Sequence, residues 1–310
     1  MIEARGLVKR FGPRLALRGV DLDAAPGDVV GVIGPNGAGK TTTIRILATL
    51  IVPEAGRATV AGLDVVRDAA RLRGAIGFMP ERFGLYDELT IEQYLEFFAR
   101  AHGVHARDRA AQVDGVLELT DLTHKRGDPC EGLSKGVRQR VYLAKTLLHD
   151  PRVLLLDEPS SGLDPQARID LRALLAALAA QGKTILVSSH ILTELDLICS
   201  RVAVIEGGAV RFAGTLDDVA RRRARAHRVR VRALDPAHAA RAQGLLEGDA
   251  RVIDPVVEGA ELRLVFEAER ADVPGLHRRL VEGGVDVYAF EVEEPSLEAL
   301  FLEVTRGEVS

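Results

Sequence analysis

Gly34-Pro35-Asn36-Gly37-Ala38-Gly39-Lys40-Thr41 decides the reading of this chain. Glycines in such a run let successive backbone N–H groups turn toward one point, the arrangement that surrounds a phosphate. Upstream, Asp28 to Ile33 reads as a strand. Downstream, Ile44, Leu47, Ala48 and Ile51 recur at i, i+3, i+4 and i+7, so Thr42 to Ile51 reads as a helix. Strand, glycine loop and helix in that order aim the positive helix N-terminus at the same anion. The pattern G-x-x-x-x-G-K-[ST] is that of a phosphate-binding P-loop. Lys40 is expected to reach the β- and γ-phosphates of a nucleotide, and the Thr41 hydroxyl to ligate Mg²⁺. Asn36, Gly37, Gly39 and Thr42 complete the candidate nucleotide contacts.

A second run, Val153-Leu154-Leu155-Leu156-Asp157-Glu158, is an apolar strand that delivers two carboxylates to its C-terminal end. Ligands of α/β sheets collect at such ends. Read alone, the pair marks no more than a solvated strand end. Beside a P-loop, Asp157 is expected to hold Mg²⁺ and Glu158 to polarise an attacking water as general base.

Composition bounds the rest. The chain has 310 residues, 47% hydrophobic and 28% charged, which excludes wholesale disorder and suggests about two domains. The net charge of −4 carries no global basic excess, so no nucleic-acid partner is expected. Two cysteines, Cys130 and Cys199, cannot frame a protein of this size with disulfides and read as reduced thiols. The start, Met1-Ile2-Glu3-Ala4-Arg5-Gly6, lacks the apolar region of a signal peptide. Leu171 to Ala180 is broken by Arg172, and Val153 to Leu156 is short, whereas a spanning helix needs about 20 apolar residues. The chain is therefore not expected to be a permease, and any membrane role has to come through a partner.

Residues 1–220 alternate strand-like and helix-like runs, the order of a mainly parallel sheet covered by helices. Thr184 to Val187 is a further buried strand. Asp164 and Pro165 open a helix striped by Leu171, Leu174, Leu175 and Leu178 and ended by Gly182. Residues 1–25 and 56–66 read as short antiparallel strands. Residues 85–150 form a helical insertion, with Thr90 and Gln93 as a capping-box pair ahead of Tyr94, Leu95, Phe97 and Phe98. A boundary is expected near 217–228. Seven arginines between Arg221 and Arg232 read mainly as a solvated helix end and linker, with anionic lipid headgroups as the alternative, although Arg228 to Arg232 also alternates as a half-buried strand does. Residues 225–310 follow in the order β-α-β-β-α-β, a small α+β domain of ferredoxin-like type. A last helix is expected from Ser296, with Leu297, Leu300, Phe301 and Val304 on one stripe.

Leu133-Ser134-Lys135-Gly136-Val137 precedes the carboxylate pair. With it the chain resembles the ATP-binding subunit of an ABC transporter over residues 1 to about 220. The usual signature of that family is Leu-Ser-Gly-Gly-Gln. This sequence keeps Leu133, Ser134 and Gly136 and carries Lys135 and Val137, a variant similar to those of the ABC-2 type exporter ATPases. Glu294 to Phe301 resembles the closing segment of members with an extra C-terminal domain. The resemblance implies a P-loop NTPase core with a mainly parallel sheet, an antiparallel β subdomain and a helical insertion. It implies that Ser134 and Gly136 face the γ-phosphate held by the opposite subunit. Ser161-Gly162-Leu163-Asp164 matches the D-loop, so that Asp164 joins the nucleotide contacts. His190 matches the switch histidine, although a lone histidine at a strand end is usually structural. Phe11 matches the aromatic residue that stacks on adenine, and read alone it is as readily a packing residue. Glu81 stands where most members have glutamine and is carried over as a Mg²⁺ ligand.

The implied function is the ATPase of a transporter, in which two copies close around ATP and drive a separate membrane permease, as an exporter, from the cytoplasmic face of the membrane. The alternative is an ABC ATPase that acts on nucleic acid or ribosomes. Members acting on DNA carry coiled coils, and those acting on ribosomes usually carry two P-loops; this chain has no heptads and one P-loop. A metabolic P-loop kinase leaves Ser134, Gly136 and His190 without a role.

Overall fold

The computed structural model describes residues 1–189, 195–218 and 226–292. The described residues fall into two compact units, Met1–Gly214 and 215–292.

In the first unit, β1 (Ile2–Phe11), β2 (Arg14–Ala24), β4 (Ala55–Val60) and β5 (Leu63–Asp64) form an antiparallel sheet in the order β2-β1-β4-β5. A second sheet runs β10-β9-β3-β8-β7-β6. Its members are β3 (Val29–Ile33), β6 (Ile76–Met79), β7 (Val153–Asp157), β8 (Thr184–Ser188), β9 (Arg201–Glu206) and β10 (Ala209–Thr215). β9, β3, β8, β7 and β6 pair in parallel. Strands β3, β7 and β8 are buried along their whole length, which is why they read as continuous apolar runs rather than alternations.

Helix α1 (Lys40–Leu47) joins one core with strands of both sheets. Its Ile44, Ile46 and Leu47 share that core with Leu7, Leu17 and Leu155. The expected helix to Ile51 stops short, because Thr49 adopts a left-handed φ of 62° that ends the helical ladder.

The helical insertion contains α3 (Ile91–Ala101), α4 (Arg109–Leu119) and α5 (Lys135–Leu147), after the short α2 (Ala69–Leu72) of the core. Thr90 and Gln93 form both bonds of the capping box. Helix α6 (Pro165–Ala180) is capped by Asp164, whose carboxylate accepts from the Ala167 N–H at 2.9 Å. Such caps are each worth about 1 kcal/mol and fix where the helices begin. Cys130 and Cys199 are both buried free thiols.

The second unit is a four-stranded antiparallel sheet in the order β12-β13-β11-β14, formed by β11 (Ala226–Ala233), β12 (Val252–Glu258), β13 (Glu261–Glu267) and β14 (Val287–Val292). With α7 (Pro236–Leu246) after β11 and α8 (Val273–Glu282) after β13, this is the ferredoxin-like arrangement. Its own core gathers Val229, Val231, Leu246, Leu264, Phe266 and Leu280. The arginine-rich stretch therefore does not end as a linker. Arg228, Arg230 and Arg232 stand in β11, where Arg230 pairs with Glu261 at 3.6 Å and Arg232 pairs with Glu291. The expected closing helix and its stripe Leu297, Leu300, Phe301 and Val304 lie outside the described residues.

Candidate nucleotide-binding site

Strand β3 ends at Ile33, the glycine loop follows, and α1 begins at Lys40. Gly39 holds a φ of 115°, and a Cβ there would lie 2.6 Å from Leu17 Cδ2 and 3.0 Å from the Ala16 carbonyl. Only glycine fits this last turn, because β2 presses on it from one side. The loop borders a cleft of about 980 Å³. Asn36, Gly37, Gly39, Lys40, Thr41 and Thr42 line it, as do Phe11, Glu81 and Glu158.

Lys40 is 6% exposed. Its ammonium donates to the Gly34 carbonyl at 2.6 Å and the Pro35 carbonyl at 3.4 Å, and lies 3.8 Å from Glu158 Oε1. A cation this buried rests on the loop's own carbonyls and one carboxylate.

Asp157 closes β7 and is fully buried. Its Oδ1 accepts from Thr41 Oγ1 at 3.2 Å and from Ser188 Oγ at 2.8 Å. Among the described residues, its Oδ2 has no hydrogen-bond partner. A buried carboxylate oxygen without a donor is costly unless a cation completes it. Here the unpaired oxygen belongs to the residue that touches the Thr41 hydroxyl, and hard oxygen donors of this kind suit Mg²⁺. The residues present thus fit the metal that the motif implies.

Glu158 has a φ of 52°, a left-handed conformation that costs a non-glycine residue of order 1–3 kcal/mol and clusters at active sites. Its N–H donates to Ser188 Oγ at 2.9 Å. One hydroxyl, at the end of β8, thereby holds both acidic residues: it donates to Asp157 and accepts from Glu158. Sequence reasoning missed Ser188. The signal that would have found it is the parallel register that sets Ser188 directly beside Asp157.

Phe11 stands at the end of β1, 48% exposed, with Lys9 Nζ 5.6 Å from its ring centre. Ser134, Gly136 and Asp164 do not line this cleft. Ser134 caps α5, its Oγ accepting from the Val137 N–H at 3.4 Å. Gly136 borders an apolar groove with Leu163 and Ala167. Asp164 is engaged as the cap of α6. Lys135 folds over Gly162 of the D-loop and shares a smaller cavity of about 300 Å³ with Glu81, Arg82, Arg138 and Glu158. His190 lies outside the described residues. Arg14, which no motif singled out, lines the main cleft and donates to the Gly37 carbonyl at 3.0 Å.

Known proteins share this fold and domain order. The ABC transporter family matches residues 17–161, and the C-terminal domain of the DrrA1-3-like ATP-binding proteins matches residues 214–305. The chain is 36% identical to the daunorubicin resistance ATP-binding protein DrrA3 of Streptomyces coeruleorubidus, over 98% of this chain and 95% of that protein. It is 30% identical to the linearmycin resistance ATP-binding protein LnrL of Bacillus subtilis, over 98% of each. Among solved structures, the dimeric structure of a bacterial ABC transporter cassette superposes with a TM-score of 0.64 at 25% identity, covering 70% of this chain and 99% of that one. Among the described residues, no helix is long and apolar enough to cross a membrane. Matched along nearly its whole length to proteins of one kind, the chain belongs to the ATP-binding subunits of ABC transporters, the ATPases that power transport.

Proposed function

We propose that two copies of this chain bind ATP between them, hydrolyse it, and drive a separate membrane permease in the direction of export, from the cytoplasmic face of the membrane. The convergence of Lys40, Thr41, Asp157 and Glu158, with an unpaired buried oxygen on Asp157, carries this reading. The P-loop backbone and Lys40 hold the phosphates, with Asn36, Gly37, Gly39 and Thr42 around them. Thr41 and Asp157 hold Mg²⁺, and Glu81 adds a third oxygen donor from the rim of the same cleft. The metal, when bound, neutralises charge that develops on the transferring phosphoryl group. Glu158 takes the proton of the attacking water, and Phe11 stacks on the adenine.

Ser134 and Gly136 act in trans. They stand outside their own chain's cleft, as residues that serve the partner's nucleotide must. Asp164 shapes the D-loop between the two sites, and His190 contacts the γ-phosphate. The 225–310 domain serves interaction: its core is its own, and the sequence there holds none of the phosphate-binding motifs. Export is favoured by relatives that are resistance proteins for daunorubicin and linearmycin.

ATPase assays in Mg²⁺ test the reading. Turnover should rise when the chain is co-reconstituted with its membrane subunit in vesicles. Stimulation by DNA or ribosomes, with none by a membrane subunit, would favour the nucleic-acid alternative instead.

A further inference from the structure

The cleft contains two cations that no motif accounts for, Arg14 and Arg45, and of these Arg14 is the one bonded to the glycine loop. Strands β1 and β2 turn back on each other through Gly12 and Pro13, and Phe11 and Arg14 are the last cross-strand pair. One hairpin tip thus presents an aromatic ring and a guanidinium, and both line the phosphate cleft. The guanidinium is tied to the loop, because Arg14 Nη2 donates to the Gly37 carbonyl at 3.0 Å. Gly37 has a φ of 81°, and a Cβ at that position would lie 2.5 Å from Arg14 Nη2. A side chain there would push the arginine away from the loop.

Charge points to what the arginine is for. Glu81 and Glu158 also line the cleft, and Lys40 is already 3.8 Å from Glu158. A triphosphate entering this cleft needs a cation beyond Lys40. Among the described residues, Arg14 makes no ion pair, and one of its five N–H donors is used on Gly37. Arginine's planar fork suits phosphate oxygens.

We propose that Arg14 is a nucleotide-binding residue: anchored on Gly37, it donates to the phosphate chain of ATP while its hairpin neighbour Phe11 meets the base. The proposal rests on reading the cleft as the ATP site. It makes the hairpin tip a single device that spans base and phosphates, so that the P-loop and the aromatic residue do not move independently.

Calorimetric titration of the full chain with ATP and Mg²⁺ tests it. Arg14→Ala and Arg14→Gln should each weaken ATP about 10-fold or more, the worth of a charge-assisted hydrogen bond. Arg10→Ala removes the same charge from the same hairpin, outside the cleft lining, and should change affinity less than about threefold by the weakness of exposed charge effects. Both Arg14 variants binding within about twofold of the parent would overturn the proposal. So would an equal loss in Arg10→Ala, which would reveal a diffuse charge effect. Lys40→Ala in the same series separates the two readings. If it binds ATP like the parent, the cleft is not the ATP site; if it loses binding while the Arg14 variants do not, only the role of Arg14 fails.

Discussion

The ammonium of Lys40 lies 3.8 Å from the carboxylate of Glu158, and both side chains are nearly closed off from water. The proposed phosphate cation and the proposed general base therefore form an ion pair with one another. On the proposed reading, an incoming γ-phosphate competes with Glu158 for Lys40. Binding ATP would loosen Glu158 from this contact at the moment when a base is needed.

Lys40→Ala should weaken ATP binding by at least about 10-fold, since a charged donor to phosphate is lost in a shielded site. Calorimetry with ATP reads this directly. Unchanged affinity would mean that the loop does not hold the phosphates.

Glu158→Gln should leave ATP binding intact and slow hydrolysis by roughly 10²–10⁴-fold, the range of a general base. The variant keeps the side-chain volume, and the backbone N–H that bonds Ser188 is untouched. With hydrolysis blocked, ATP should trap a dimer visible by sedimentation. Near-parental turnover would assign the base elsewhere.

Much of this site was legible in the sequence because its constraints are local. The glycine loop must turn within six residues, Thr90 and Gln93 cap within one turn, and Asp157 ends an apolar run. The order of elements in the second unit was legible from periodicity alone. What could not be read are residues that reach the site across the fold. Ser188 meets Asp157 only because β7 and β8 pair in parallel, and Arg14 meets Gly37 only because β2 packs on the loop. The alternation of Arg228 to Arg232 already marked a half-buried strand, which is β11; what it could not show is that Arg230 and Arg232 meet Glu261 and Glu291, which come from distant strands.

Asp157→Asn should remove the metal dependence of nucleotide binding. The substitution swaps part of a buried carboxylate for an amide donor and takes away the charge that Mg²⁺ would meet at the unpaired Oδ2. For the parent chain, adding EDTA should lower ATP affinity and stop hydrolysis. Titrations with and without Mg²⁺ should differ in the parent and coincide in the variant. A full Mg²⁺ effect in Asp157→Asn would show that the metal sits elsewhere.

Acid should loosen the helical insertion through His149. Its Nε2 lies 2.8 Å from the Ile76 carbonyl, which can only accept, so the ring donates there. Nδ1 is buried without a partner among the described residues, and a second proton would have no acceptor there. Burial pushes the His149 pKa down, partly opposed by that bond to Ile76, with Lys145 and Lys183 lowering it and Asp150 raising it. His102 stacks on the ring at 4.0 Å and is pushed down to about 4, by burial first and then by His149 and Lys145. Both histidines thus bind protons more readily in the unfolded chain, near pH 6.5. Their contribution to stability is complete above that pH and is lost as pH falls toward the depressed native values. Urea midpoints measured from pH 7.5 to 4.5 should fall more steeply for the parent than for His149→Gln, which has no titrating ring. Parallel slopes would remove His149 from the account.

The last expectation concerns the second unit. Its core residues, among them Val231, Phe266 and Leu280, share no member with the core around β3 and α1. Two separate cores imply two separable folding units, each able to hold its own elements. Among the described residues, none that line the phosphate cleft comes from the second unit. A chain cut near Arg223 should therefore fold and bind ATP with parental affinity. What it should lose is association: weaker ATP-dependent dimerisation, or weaker stimulation by the membrane subunit, because the removed domain carries none of the motifs of chemistry. Sedimentation with ATP and Mg²⁺, together with ATPase assays in vesicles, separates the two effects. A truncated chain that no longer binds nucleotide would mean that the cleft depends on the second unit and that the division into an ATPase core and an interaction domain is wrong. Parental dimerisation and parental coupling in the truncated chain would instead leave the fold of the second unit intact and strip it of the proposed role.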